Sequence, residues 1–410
     1  MLRSMFTAIS SLQLHQNYLD VVANNLANAN TIGYKSNRVL FQDQFYQLLS
    51  PGSGPTDSIG GINPTQIGLG LQLGYISPIF TQGMMQNTGR NMDLAIQGNG
   101  FFIYDQGAMR HYSREGSLSL DSNGYLVNTA SGSRVQGWMT GTDGAVDINL
   151  PSASIRLDTS RTLARATTTA QFGGNLSSDT AQGDTIVTTM GVYDSLGKLQ
   201  SATVEFTRST TNPYEWAWEI TSPTPTAGGT GTITFDTHGN FVQTDPPTLG
   251  QVTLPGSTAT NPIAMEIDFS DLTMLAADTG ASLTSQDGLP TGTFSDVNIT
   301  PNDGAIYLVY SNGMREQVAQ LAIAHFTNPA GLIRAGHTSF VAGPNSGEAE
   351  IGLANSGGRG AIAAGYLEAS NVDMAQEFTN MILAQRGFQA SSRIISVSDE
   401  IMQELVNLKR

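Results

Sequence analysis

The candidates for chemistry in this chain are few. Its five histidines stand at His15, His111, His238, His325 and His337. No two share the close spacing that would set them on one face of a strand or helix, so they form no metal-ligand pattern and no base with an orienting partner. The chain has no cysteine, which removes disulfides, thiolate metal sites and cysteine nucleophiles. The patterns G-x-S-x-G, H-E-x-x-H and G-x-x-x-x-G-K-[ST] are absent. The run GLGLQLG at 68–74 has the wrong spacing for a dinucleotide loop and no strand–helix frame around it. A small recurrence remains, seen in DSNG from Asp121, DSLG from Asp194 and DTHG from Asp236. As calcium loops they lack further oxygen ligands and a closing glutamate. Asp at the first position and Gly at the fourth suits a type I turn, so these are read as hairpin corners. The expectation is a protein that is not an enzyme and has no cofactor and no metal.

Composition narrows the class. Nineteen Lys plus Arg against 34 Asp plus Glu give −15, which argues against a nucleic-acid partner, whose binding would rest on clustered basic residues. No apolar run is long enough to span a bilayer, so no membrane insertion is expected. The start, MLRSMFTAISSLQLHQN, shows no compact apolar segment with a small-residue cleavage site, so no cleaved signal peptide is expected. Charged residues are 13% of the chain and glycines number 45. That balance favours short strands and turns through the middle.

Helical periodicity is confined to the two ends. Leu2, Met5, Ile9, Leu12, Leu19, Val22 and Leu26 build one face of an N-terminal helix with a seven-residue recurrence. At the other end Met374, Met381, Phe388, Ile395 and Met402 recur every seven residues, flanked by Phe378, Ile394, Ile401, Leu405 and Leu408. Ser370 with Asp373 reads as a capping box, and a helix over 371–408 would be roughly 55 Å long. The stretch VVANNLANANTIGYK ends the first helix with Asn24, Asn25, Asn28 and Asn30, followed by Gly33, Tyr34 and Lys35. Asparagine is a mediocre helix former that tolerates the left-handed conformation of helix ends. Four of them exceed what one cap needs, so contacts between subunits are expected there, with Tyr34 and Lys35 lying across a neighbour.

The reading is mixed and mainly β: two β-rich domains, one inserted in the other, plus a coiled-coil-like pair of terminal helices. Residues 1–30 and 371–410 form the helical part, with connecting arms at 31–75 and 355–370. An inner β domain takes 76–149 and 283–354, and an inserted outer one takes 150–282. The segment YEWAWEI places Tyr214, Trp216, Trp218 and Ile220 on one buried strand face.

Three blocks resemble one family. ANNLANANTIGYK is similar to the N-terminal signature of bacterial flagellar rod and hook proteins. GRNMDLAIQGNGFFIY with YSREGSLSLDSNGYLVN looks like that family's first β segment, and GYLEASNVDMAQEFTNMILAQRGFQASSRII resembles its C-terminal signature. Within the family, the large inserted middle is a feature of hook members. The resemblance implies a structural subunit of a hollow, bendable helical tube that joins rod to filament and transmits torque. It implies the chain itself as chief partner, beside distal rod, hook cap and hook–filament junction proteins and the flagellar type III export apparatus. It also implies an extracellular place, reached without a cleaved signal peptide. A distal-rod-type axial protein and a secreted adhesin-like β protein are the alternatives.

Overall fold

The computed structural model describes residues 2–57, 59–107, 109–141, 144–245, 250–255 and 263–407. The chain divides into two units: Met1–Leu157 with Val297–Tyr307 and Gln317–Arg410, and Asp158–Asp296 with Leu308–Glu316. The second is inserted in the first, from Asp158 to Asp296 where composition pointed to 150 and 282. Composition marks where loops are dense, whereas the boundary lies where backbone pairing changes partner.

The first unit carries both long helices, α1 (Leu2–Ala27) and α2 (Met374–Asn407), which pack on each other. Helix α2 starts one turn later than the capping-box reading: Asp373 Oδ1 accepts from the Ala375 and Gln376 amides at 2.9 and 3.2 Å. Asp373 is therefore the cap itself, and Ser370 stands outside the helix.

The segment read as a connecting arm is a long two-stranded ribbon. Asn37–Asp43 pairs antiparallel with Leu71–Pro78, and Tyr46–Ser50 pairs with Thr65–Gly68. Bridges at Ser53 with Ile62 and Thr56 with Ile59 carry the pairing on toward the tip. Glycine and proline density suggested loop, yet an uncharged backbone stretch must satisfy its amides, and pairing with itself does so. The second arm is likewise paired: Ala361–Ala364 with Leu94–Gln97, and Tyr366–Glu368 with Met85–Asn87.

The β-rich part of this unit is built round Phe101–Asp105, which pairs with Arg110–Ser113 on one side and Arg134–Met139 on the other. Its apolar centre holds Phe101, Ile103, Tyr112, Trp138, Phe326 and Phe340. Tyr112 and Phe326 meet edge to face at 4.8 Å between ring centroids.

In the second unit a five-stranded antiparallel meander runs from Thr185–Tyr193 to Phe241–Asp245. A four-stranded sheet faces the same core, with Thr169–Asn175 between Ile263–Thr273 and Ser282–Gln286. Trp216, Trp218 and Ile220 point inward as their alternation requires. Tyr214 does not join them; it precedes the strand and is 39% exposed. The Asp-x-x-Gly segments from Asp121, Asp194 and Asp236 are hairpin corners of one design. The carboxylates of Asp121, Asp194 and Asp236 each accept the amides two and four residues on, at 2.7–3.0 Å.

Asp287 ties this unit's strands together. It accepts from the Thr168 and Thr169 amides at 2.8 and 2.9 Å, from the Thr168 hydroxyl at 2.5 Å and from Arg165 at 3.2 Å. Burial works to raise its pKa but is outweighed by these hydrogen bonds and by Arg165, which hold it at about 2, below the usual 3.8. A carboxylate depressed in the fold contributes stability above its unfolded pKa and loses it as pH falls through the folded one. Asp287→Asn is therefore expected to melt earlier at neutral pH. It should also lose less than wild type between about pH 4 and 2, read by scanning calorimetry at stepped pH.

Candidate functional site

Where α1 ends, the chain leaves the helix pair for the β-rich part, and polar residues converge there. Helical bonding closes with the Asn28 amide on the Asn24 and Asn25 carbonyls at 3.2 and 3.1 Å. The four asparagines then divide by role. Asn25 is buried and grips the first strand residue: its Oδ1 accepts from the Asn37 amide at 2.9 Å and its Nδ2 donates to the Asn37 carbonyl at 2.9 Å. Its Oδ1 also takes the Tyr34 hydroxyl at 3.3 Å. Asn28 caps locally, donating to the Asn24 carbonyl at 2.9 Å and accepting from the Thr31 hydroxyl at 3.1 Å. Asn24 and Asn30 are exposed.

Gly33 adopts φ +70° and lies against the Arg114–Glu115 backbone, where an added Cβ would sit 2.8 Å from the Glu115 nitrogen. Only glycine serves both demands. The residues that follow correct the expectation for Tyr34 and Lys35. Both are buried in their own chain rather than laid across a neighbour, because each has an internal polar partner.

Lys35 Nζ donates to Glu368 Oε1 at 2.6 Å and to the Thr81 carbonyl at 2.8 Å. Glu368 Oε1 also accepts from the Gly83 amide at 2.8 Å, and its other oxygen meets Arg114 Nη1 at 3.3 Å. The lysine and glutamate side chains are 0% exposed and the arginine 3%. Burial lowers the pKa of both cations first of all, with Glu368 pulling each the other way. One buried carboxylate thus holds three separate segments at the exit.

Asn371 completes the junction from the far end of the chain. It accepts from the Ser36 amide at 2.7 Å and donates to the Ile79 carbonyl at 2.8 Å. Glu368, Arg114 and Asn371 were not singled out from sequence. The available signal was a lone glutamate and a lone asparagine in the small-residue stretch just before α2.

The helix seams also differ from their reading. On α1, Val22 is buried, Met5, Leu12, Leu19 and Leu26 are half-buried, and Ile9 is exposed. Ala8 and Leu14 are buried as well. On α2 the fully buried line is Ala384, Ser391 and Ser398, every seven residues, flanked by half-buried Met381, Phe388 and Ile395. Ser391 Oγ lies 3.0 Å from Ser11 Oγ, and Gly387 faces the His15 ring so closely that a Cβ there would lie 2.4 Å from it. Small residues let the two backbones approach, so the larger apolar ones are displaced sideways. Met374, Phe378, Ile394 and Ile401 are left exposed, with Ile382, Leu383, Val397 and Val406. Leu2 and Leu405 belong to the helices, and Leu408 lies outside the described residues.

The ribbon adds a second uncovered surface. At its base Phe41 packs edge to face on Tyr18 of α1, at 5.6 Å. Further out Phe45, Tyr46, Leu48, Leu49, Ile59 and Ile62 are each more than half exposed. Asp57 is the only charged residue between positions 44 and 89.

Comparison with known proteins bears on these features. Family models match at four places: a flagella basal body rod protein model over 5–35, and a flagellar hook protein D1 domain model over 95–164. A flagellar basal body protein D2 domain model matches 162–289, and a basal body rod C-terminal model matches 363–408. The chain is 36% identical to the flagellar hook protein FlgE of Borreliella burgdorferi, covering all of both chains. It is 34% identical to FlgE of Salmonella typhimurium over 99% of this chain and all of that one. The flagellar basal-body rod protein FlgG of Bacillus subtilis is 30% identical over the full length of both.

Proposed function

Because the chain belongs to the flagellar hook protein family, we propose how this hook subunit builds its tube. The observation that carries the reading is the pairing of α1 with α2 around small residues, which leaves an apolar stripe on α2 and a nearly uncharged ribbon uncovered. In a homopolymer those surfaces are what neighbouring copies bury. Met374, Phe378, Ile394 and Ile401 face the next copies in an inner helical tube, and the ribbon lies along the adjoining subunits. The β-rich units stack outside and slide through polar contacts as the tube bends and carries torque. No catalytic role is assigned.

The hook lies outside the cell as part of the flagellum. We infer export through the flagellar type III apparatus without a cleaved signal peptide, and end contacts with distal rod, cap and junction proteins. The full-length likeness to a rod protein favours a distal-rod-type reading as the second possibility. The D2 match over 162–289 weighs toward the hook.

Helix stability in proteins comes mostly from tertiary packing of an apolar face, and α2 leaves such a face uncovered in the single chain, so the ends gain their full order on assembly. Limited proteolysis with mass spectrometry tests this on dilute chain and on pelleted tubes. Cleavage within α1 and α2 in dilute chain, suppressed in tubes, is the expected result. Equal resistance in both forms would make the helix pair a self-sufficient core and sink the reading.

A further inference from the structure

A hairpin at the edge of the β-rich part holds the exit from outside. Its strands are Ile333–Gly336 and Ser339–Val341, and the second pairs with Arg110–Ser113. Three successive residues at its tip have positive φ: Gly336 at 86°, His337 at 47° and Thr338 at 52°. For a β-branched threonine that is a costly conformation, and such strain persists only where surroundings enforce it. Here the Ser113 hydroxyl donates to the Thr338 carbonyl at 3.0 Å, and the Thr338 hydroxyl donates to Glu115 Oε2 at 2.8 Å. Glu115 is also the residue whose backbone Gly33 rests against.

From the same hairpin Arg334 reaches the exit strap. Its guanidinium stacks 4.9 Å from the Tyr34 ring centroid and 5.4 Å from that of Phe340. It donates to the Lys35 carbonyl and, at 3.2 Å, to Asn37 Oδ1. The strand that carries it, Ile333–Gly336, is exposed along its whole length. Arg334 stands on an exposed strand, while the Tyr34 and Phe340 rings under it are buried, so releasing the grip breaks two hydrogen bonds and bares part of two rings but strands no charge. The Lys35–Glu368–Arg114 node beneath is fully enclosed and cannot open so cheaply.

We propose that Arg334 is the positioning residue of the exit, setting how the terminal helices leave the β-rich part and yielding as a tube bends. The inference rests on the tube reading above and assigns its bending to one contact. The node stays closed while the grip opens and shuts between copies on the inner and outer curve. Phe340 and Tyr34 both lie within 5.4 Å of a planar cation, so lysine can replace the hydrogen bonds but only part of the ring contact.

The test uses the full chain as wild type, Arg334→Ala and Arg334→Lys. Hydrogen exchange of the Ser36 and Asn37 amides is followed in single chains and in tubes, and tube curvature is measured by electron microscopy. Arg334→Ala should speed exchange at both amides about tenfold and broaden the curvature distribution, with Arg334→Lys between it and wild type. Wild-type exchange and curvature in Arg334→Ala would overturn the proposal. If that variant assembles no tubes, exchange in its single chain decides: unchanged rates overturn, raised rates with an intermediate lysine variant support. Failure of the wild type to form tubes would count against the tube reading alone, because the single-chain exchange still reports on Arg334.

Discussion

Replacing Glu368 by alanine is expected to cost about 3–5 kcal/mol of folding stability, the usual loss when one partner of a buried ion pair is removed. Lys35 and Arg114 would remain enclosed without a carboxylate, and the Gly83 amide would lose its acceptor. Burial already lowers the pKa of both cations, with Glu368 opposing it, so removing Glu368 takes away the group that favours their charged forms. Glu368→Gln keeps an acceptor for the amide but no charge, and should fall between wild type and alanine. Removing lysine and carboxylate together, as Lys35→Met with Glu368→Leu, should cost less than Glu368→Ala alone. An apolar pair of similar volume leaves fewer stranded charges. Urea unfolding of the full chain measures all three. A loss under about 1 kcal/mol for Glu368→Ala would place the node among exposed pairs and remove it as the anchor of the exit.

This node explains why the exit was only half legible in the sequence. Asn25, Asn28, Gly33, Tyr34 and Lys35 lie within eleven residues, and local chemistry marks them: too many asparagines for a helix, then a glycine. Their partners Arg114, Glu368 and Asn371 are far away in the chain, and nothing in a single sequence records which distant charge meets which. Without the partner Lys35 reads as a surface lysine free to lie across a neighbour. The Asp-x-x-Gly corners were legible for the opposite reason. Their hydrogen bonds close within four residues, so spacing alone specifies them.

The same contrast separates the helices from the ribbon. Seven-residue recurrence located α1 and α2, because periodicity is a property of one segment. It misjudged which stripe packs, since the closest approach follows side-chain size. Ala384, Ser391 and Ser398 are invisible to a search for large apolar residues. The ribbon hides behind its glycines and prolines, which read as a connecting arm. Its pairing partner is itself, 15 to 41 residues on.

The small-residue seam leads to the second large effect. Ser391→Leu is expected to raise the concentration needed for assembly roughly 5- to 150-fold, while Ser391→Ala should stay within about fivefold of wild type. Ser391 is 5% exposed, lies 3.0 Å from Ser11 Oγ and donates to the Gly387 carbonyl of its own helix at 2.9 Å, so alanine gives up one contact between the helices and one local bond, and fits the space. Leucine adds three carbons where the backbones are closest, beside Gly387 and His15. Overpacking of that kind costs typically 1–3 kcal/mol, and every subunit added to a tube incurs it. Each 1.4 kcal/mol is a factor of ten in the equilibrium constant, which sets the range. Pelleting across a concentration series gives the threshold. Tryptophan fluorescence from Trp216 and Trp218, buried in the second unit, reports whether that unit stays folded. A Ser391→Leu chain that pellets at the wild-type threshold would mean that α1 and α2 do not meet along this line in the tube. The exposed stripe of Phe378, Ile394 and Ile401 would then have to be the seam.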